Sequence, residues 1–249
     1  MGDGCKKENS VLRIFKKAFY DSLPVMAGYG TMGFAAGVLL AVHGGIAMPE
    51  VWAFFSSAAF ISGPLQYLFV DWVRASVPVA SVLLIVFCVN LRYSLYGLSL
   101  LETFRAARFW ERMYLITGIT DETYALEVAC TLSGRKKVAY CVFLTALDHF
   151  YWVAGVTAGA FACSLVKVPA KGIDFAMTAL FLVILAEQLR EKANRIPALI
   201  GGLSSIAVFV LLSSFRGASS ARGDMLIPSM ALMVASFLAM RRKIEGAQS

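Results

Sequence analysis

Four short stretches place polar side chains inside runs that are otherwise apolar, and their residue types define the chemistry open to this chain. "CVNLRYSLYG" (88–97) holds Asn90 and Arg92, an amide and a permanent cation able to contact the charged groups of a small ligand. "TDETYAL" (120–126) holds the adjacent acids Asp121 and Glu122, which on a small-residue face suit proton exchange. "ALDHFYW" (146–152) sets Asp148 beside His149, an acid and an imidazole of the kind used to move protons. In "FISGPLQYLF" (60–69), Gly63 and Pro64 break or kink the backbone, and Gln66 follows next to the freed backbone groups.

Each stretch has a plainer reading. Asn90 and Arg92 can lock helices together, and a lone interior histidine is commonly just satisfied. Asp121 and Glu122 can be solvated on a surface hairpin, and Pro64 can kink a helix that binds nothing. On a continuous helix Asn90, Ser94 and Gly97 share one face, with Arg92, Tyr96 and Ser99 nearly opposite. Either protein and water surround that helix or it is interrupted near Asn90. Arg92 sits roughly 13 Å from the nearer end of its apolar run at ~1.5 Å per residue. A charge there costs at least about 2.5–3.5 kcal/mol on insertion scales, so a partner is expected.

The elements that must position these groups follow from composition. Of 249 residues, 59% are hydrophobic and 16% charged, outside the range of soluble domains. The fold class is therefore all-α, a polytopic helical membrane protein. A hydrocarbon core of about 30 Å needs about 20 apolar residues. The candidate spans are 24–43, 50–70, 77–101, 113–133, 138–166, 173–189, 196–215 and 225–240, eight in all, some broken or re-entrant. A basic amphipathic segment (1–23) precedes this transmembrane domain (24–240), with Lys6 to Lys17 expected on the membrane surface. A short tail (241–249) follows, and no cleaved signal peptide is read.

Basic residues orient the spans. The N-terminal cluster, Arg74, Arg135 to Lys137, Arg190 to Arg195 and Arg241 to Lys243 fall on one side, expected to be cytoplasmic. Arg105, Arg108 and Arg112, with Lys167, Lys171, Arg216 and Arg222, fall on the other. The three arginines around 105–112 sit poorly there, so 113–133 is alternatively re-entrant and the chain then has seven spans. Gly33-x-x-x-Gly37 and Gly155-x-x-x-Gly159 are candidate close-packing sites, too common a pattern to establish a repeat. Asp148 lies on the close-packing face with Gly155 and Gly159.

The net charge of +7 is spread over loop clusters as topology signals are, which argues against nucleic acid. The histidines are His43 and His149, and the five cysteines are scattered, with no metal-ligand spacing. No metal or other cofactor is implied. No nucleophile–base pair, HExxH or P-loop supports an intramembrane enzyme.

The stretches "LPVMAGYGTMGFAAG" (23–37), "FISGPLQYLF", "VNLRYSLYGLSL" (89–100), "TDETYAL" and "GIDFAMTALFLVIL" (172–185) occur in an order that resembles the AzlC-type permeases. These are the large subunits of bacterial two-component branched-chain amino acid exporters. The chain departs from that pattern at Pro64-Leu65, where small residues are usual, and at Tyr93, where histidine is usual. The resemblance implies export of hydrophobic amino acids across the cytoplasmic (inner) membrane, driven by the proton motive force. It also implies a small AzlD-type membrane subunit as partner. In that reading Gly63, Pro64, Gln66, Asn90 and Arg92 bind the substrate, and Asp121, Glu122, Asp148 or His149 carry protons. A non-transporting scaffold subunit is the competing reading.

Overall fold

The two glycine pairs face each other. In the computed structural model, α1 (Gly2–His43) packs along α8 (Gly134–Leu165) with almost no side chain between their backbones. A Cβ at Gly155 would come within 2.9 Å of the Tyr29 carbonyl oxygen. One at Gly37 or Gly159 would overlap the carbonyl oxygen of Val156 or Phe34. The helices run parallel, because contacts climb both together: Phe15 with Phe143, Tyr29 with Trp152, Phe34 with Gly159. Residues 2–43, 45–75, 77–165 and 192–216 are described, with isolated positions from 175 to 190 and from 228 to 239. The expected spans 173–189 and 225–240 therefore lie largely outside the described residues. The described residues contain no strand, and the chain is a helical membrane protein.

Between α1 and α8 the chain forms two helical hairpins around one straight helix. The run 50–70 divides into α2 (Pro49–Ala59) and α3 (Gly63–Ala75). Gln66 Nε2 donates to Ser56 Oγ at 2.9 Å, whereas ten residues of one continuous helix would separate them by about 15 Å. The chain therefore reverses at Phe60–Ser62, with α2 against α8 and α3 against α1. Pro64 does not kink a span: it stands in the first turn of α3, where its missing amide leaves no bond unmade. α4 (Val79–Ser99) then runs unbroken through Asn90, so the interruption considered there is absent.

The run 113–133 is likewise a hairpin, reached through short α5 (Leu101–Ala106). Its arms are α6 (Phe109–Thr117) and α7 (Asp121–Ala129). Glu111, at the start of α6, takes two hydrogen bonds from Arg135 at the start of α8, at 2.6 and 2.8 Å. Thr123, early in α7, reaches Asp148 in mid-α8, and Cys130, just past α7, is back in the cluster with Tyr140 and Cys141. The hairpin enters beside α8 and returns to the side it left.

This corrects the assignment of sides. Arg105, Arg108 and Arg112 lie at the same end as Arg13, Lys16, Lys17, Arg135, Lys136 and Lys137, not opposite them. The discomfort of three arginines on the far side disappears. Four described helices are long and apolar enough to cross a membrane: α1, α4, α8 and, in the second unit, α9 (Lys192–Arg216). Neither 50–70 nor 113–133 supplies one.

α1 is continuous across residue 23, where the transmembrane domain is expected to begin. It continues through Pro24, and its 42 residues amount to roughly 63 Å, twice the hydrocarbon thickness. Its lower turns pack on α8 rather than lying flat, with Ile14 and Ala18 buried beside Val138 and Cys141. At this basic end, Arg135 and the Arg108 amide pull the Glu111 carboxyl from 4.5 down to about 2. The clamp is at full strength above 4.5 and is lost as pH falls toward about 2.

Single cysteines placed at Arg105 and Lys136 in a cysteine-free background should react with an impermeant thiol reagent from the same side of the membrane, and one at Pro78 from the other. Labelling of 105 and 136 from opposite sides would require 113–133 to cross.

Candidate functional site

The tips of the two hairpins meet. A Cβ at Gly118 would lie 3.6 Å from Ile61 and would collide with the Thr145 methyl of α8. Glycine permits this approach, and it brings two interrupted backbones together beside the α1–α8 pair. Irregular backbone at membrane depth is tolerated where protein buries it or where it lines a cavity.

A cavity of about 600 Å³ opens beside the tips. Ala59 to Ser62 of the first tip, Asn90, Tyr93 and Gly97 of α4, and Ile116 and Thr117 of α6 line it. Its walls are mostly apolar, from Phe60, Leu65, Val86, Leu98, Leu101 and Phe104. On two of the lining residues a polar atom is buried without a hydrogen-bond partner, Ser62 Oγ and Asn90 Oδ1. Of the residues expected to bind substrate, Asn90 lines the cavity. Gly63 and Pro64 form the adjoining first turn of α3. Gln66 is fully buried and ties α3 to α2 through Ser56, so it holds the tip closed on itself rather than facing the cavity. Arg92 is in α4, and its side chain lies outside the described residues.

On the other side of the second tip a polar chain runs from exposed Glu122 to buried Asp148. Glu122 Oε2 is 2.9 Å from Tyr29 Oη of α1, which is 2.7 Å from Thr120 Oγ1. Thr120 Oγ1 is 2.8 Å from Thr123 Oγ1, and Thr123 donates to Asp148 Oδ2 at 2.8 Å. Two carboxylates are thus joined through three hydroxyls in series, each able to accept from one neighbour and donate to the next. Such a chain can pass a proton by reorienting hydroxyls, without moving any helix. Asp148 is 1% exposed, and its Oδ1 has no partner.

The sequence-selected acids divide between roles. Thr120 caps α7, accepting from the Thr123 amide, so Asp121 and Glu122 occupy the first turn, where the helix dipole favours negative charge. Asp121 accepts from Tyr96 at 2.7 Å, whose ring stacks on Tyr124 at 4.2 Å and so joins α4 to α7. Asp121 shares no helical face with Thr117 and Gly118, because α6 stops at Thr117 and α7 begins at Asp121. His149 turns away from Asp148 toward α6, with Nδ1 3.3 Å from Tyr114 Oη. It does not join the hydroxyl chain.

Three contributors carry no signal in the sequence that would single them out: Tyr29, Thr120 and Thr123 read as ordinary span residues. Glu127 was detectable as a third acid in the same apolar run. It is 2% exposed, with Thr145 Oγ1 at 3.5 Å.

The family described as "AzlC protein" matches residues 24–166. A Bacillus subtilis protein named branched-chain amino acid transport protein AzlC is 28% identical over 97% of this chain and 91% of its own. An uncharacterized membrane protein of Haemophilus influenzae is 32% identical over 82% of each chain. One of Helicobacter pylori is 29% identical over 94% of this chain and 98% of its own. No solved structure matches.

Thr123→Val removes the donor to Asp148 while keeping the shape, and should destabilise the protein by about 1–3 kcal/mol. Thr123→Ser should restore most of that loss. Reversible unfolding in mixed detergent measures both, and equal stability for Val and wild type would mean the hydroxyl does not support the acid.

Proposed function

Because this chain belongs to the AzlC family, we propose that it carries branched-chain or other hydrophobic amino acids through the membrane as a secondary transporter. The observation that carries this reading is the cavity at the meeting of two hairpin tips. Its wall suits an aliphatic side chain, and its unpartnered polar atoms suit the charged end of an amino acid. Interrupted helices that present backbone dipoles at mid-membrane are a recurring way to hold such substrates. The Bacillus subtilis relative named as a branched-chain amino acid transport protein supports the substrate class.

In this reading the basic end faces the cytoplasm, the membrane is the cytoplasmic (inner) one, and net movement is outward. Protons drive it. Glu122 and Asp148 exchange them through Tyr29, Thr120 and Thr123, and the second tip, with the cavity on one side and this chain on the other, couples the two. Asp121 ties the tip to α4 through Tyr96, and His149 ties α8 to α6 through Tyr114. A small AzlD-type membrane subunit completes the transporter.

Proteoliposomes holding this chain, with and without the small subunit, test the proposal. Leucine or valine efflux should require both subunits and should follow an imposed pH gradient. Asp148→Asn should abolish pH-driven efflux and keep leucine counterflow, since exchange at equal gradients needs no net proton. Loss of both activities in a stably folded Asp148→Asn protein would remove the proton role. No flux with both subunits present would favour the scaffold reading.

A further inference from the structure

We infer that the cavity fixes the orientation of a zwitterion: the substrate's carboxylate sits at the N-terminus of α3 against Ser62, and its ammonium sits against Asn90 Oδ1 and the last carbonyls of α2. This deepens the proposed function and rests on it.

At the first tip two helix ends of opposite polarity are a few residues apart. α3 begins with Gln66 N donating to Ser62 O at 3.0 Å. Among the described residues, the Gly63 and Leu65 amides have no acceptor, and Pro64 has no amide to offer. Ser62 stands at the N-cap, yet its hydroxyl makes no hydrogen bond while being only 5% exposed and lining the cavity. A residue at this position normally closes onto its own helix. Here the hydroxyl and the helix-start amides are left without a protein partner beside a half-open cavity, and a carboxylate could supply that partner.

The opposite pole is partly open. α2 ends at Ala59, with the Phe60 amide returning to Ser56 O and the Ala58 carbonyl engaged by His149, which leaves the Ser57 and Ala59 carbonyls at the break. Asn90 supplies a buried acceptor, Oδ1, with no donor. Carbonyls and an amide oxygen are acceptors only, and a negative helix end favours a cation. The apolar wall of Phe60, Leu65 and Phe104 then takes the side chain. Arg92, the cation expected to meet the carboxylate, is not needed for this arrangement.

Competition against labelled leucine on the nanodisc-embedded transporter tests the assignment, using leucinamide, which lacks the carboxylate, and 4-methylpentanoate, which lacks the amine. Each should compete at least roughly tenfold more weakly than leucine on the wild-type protein. Ser62→Ala should weaken leucine and 4-methylpentanoate together and leave leucinamide unchanged. Asn90→Leu should weaken leucine and leucinamide and leave 4-methylpentanoate unchanged. The wild-type series needs no variant to fold, and equal competition by leucine and both analogues there overturns the inference. So does a carboxylate-selective loss in Arg92→Gln that Ser62→Ala lacks, because it moves the carboxylate to the arginine. Leucine that does not bind the wild type at all removes the substrate reading and this inference with it.

Discussion

The backbone contact between α1 and α8 carries the rest of the first unit. Because Gly37 and Gly159 have no Cβ, each backbone reaches the partner's carbonyls. The pair becomes a rigid ridge without the hydrophobic effect that would drive such contact in water. Both hairpins rest on it: α2 packs beside His149, α7 reaches Tyr29 and Asp148, and Gly118 lies on Thr145. Interrupted helices expose amides and carbonyls that lipid cannot satisfy. They persist here because protein packs around both breaks, with the ridge and α4 holding the second tip through Tyr29, Asp148 and Tyr96.

Much of this was legible in the sequence. Apolar runs and their lengths gave the membrane class, Gly63-Pro64 marked the first break, and the glycine pairs marked the close approach. The misreadings share one cause. Length and hydropathy register how much apolar chain is present but not whether it crosses or turns back, so two hairpins of about twenty residues looked like spans. The signal against crossing was electrostatic: Arg105, Arg108 and Arg112 belonged with Arg135 to Lys137, and Glu111 joins the groups directly. Tyr29, Thr120 and Thr123 were illegible for a different reason. A hydroxyl costs little in a span, so nothing in its local sequence tells a functional one from a tolerated one.

The acids show why residue type underdetermines role. Asp121 and Glu122 are neighbours in sequence, and both answer the same demand for negative charge at the start of α7. One turns to Tyr96 on α4 and binds two helices together, and the other turns to Tyr29 and enters a hydroxyl chain ending at Asp148. His149, adjacent to Asp148, points to a different helix altogether. At 3.6 residues per turn, adjacent positions belong to different interfaces.

The parallel ridge also sets an order of assembly. Ser22 of α1 meets the Tyr151 hydroxyl of α8, 129 residues later in the chain. At synthesis rates of about 5–20 residues per second, α1 waits on the order of ten seconds in the bilayer before its partner is made. Through that interval its glycine face has only lipid or translocation machinery against it, and the intervening hairpins have no ridge to rest on. Biogenesis of this protein therefore depends on holding incomplete helices apart until the eighth arrives.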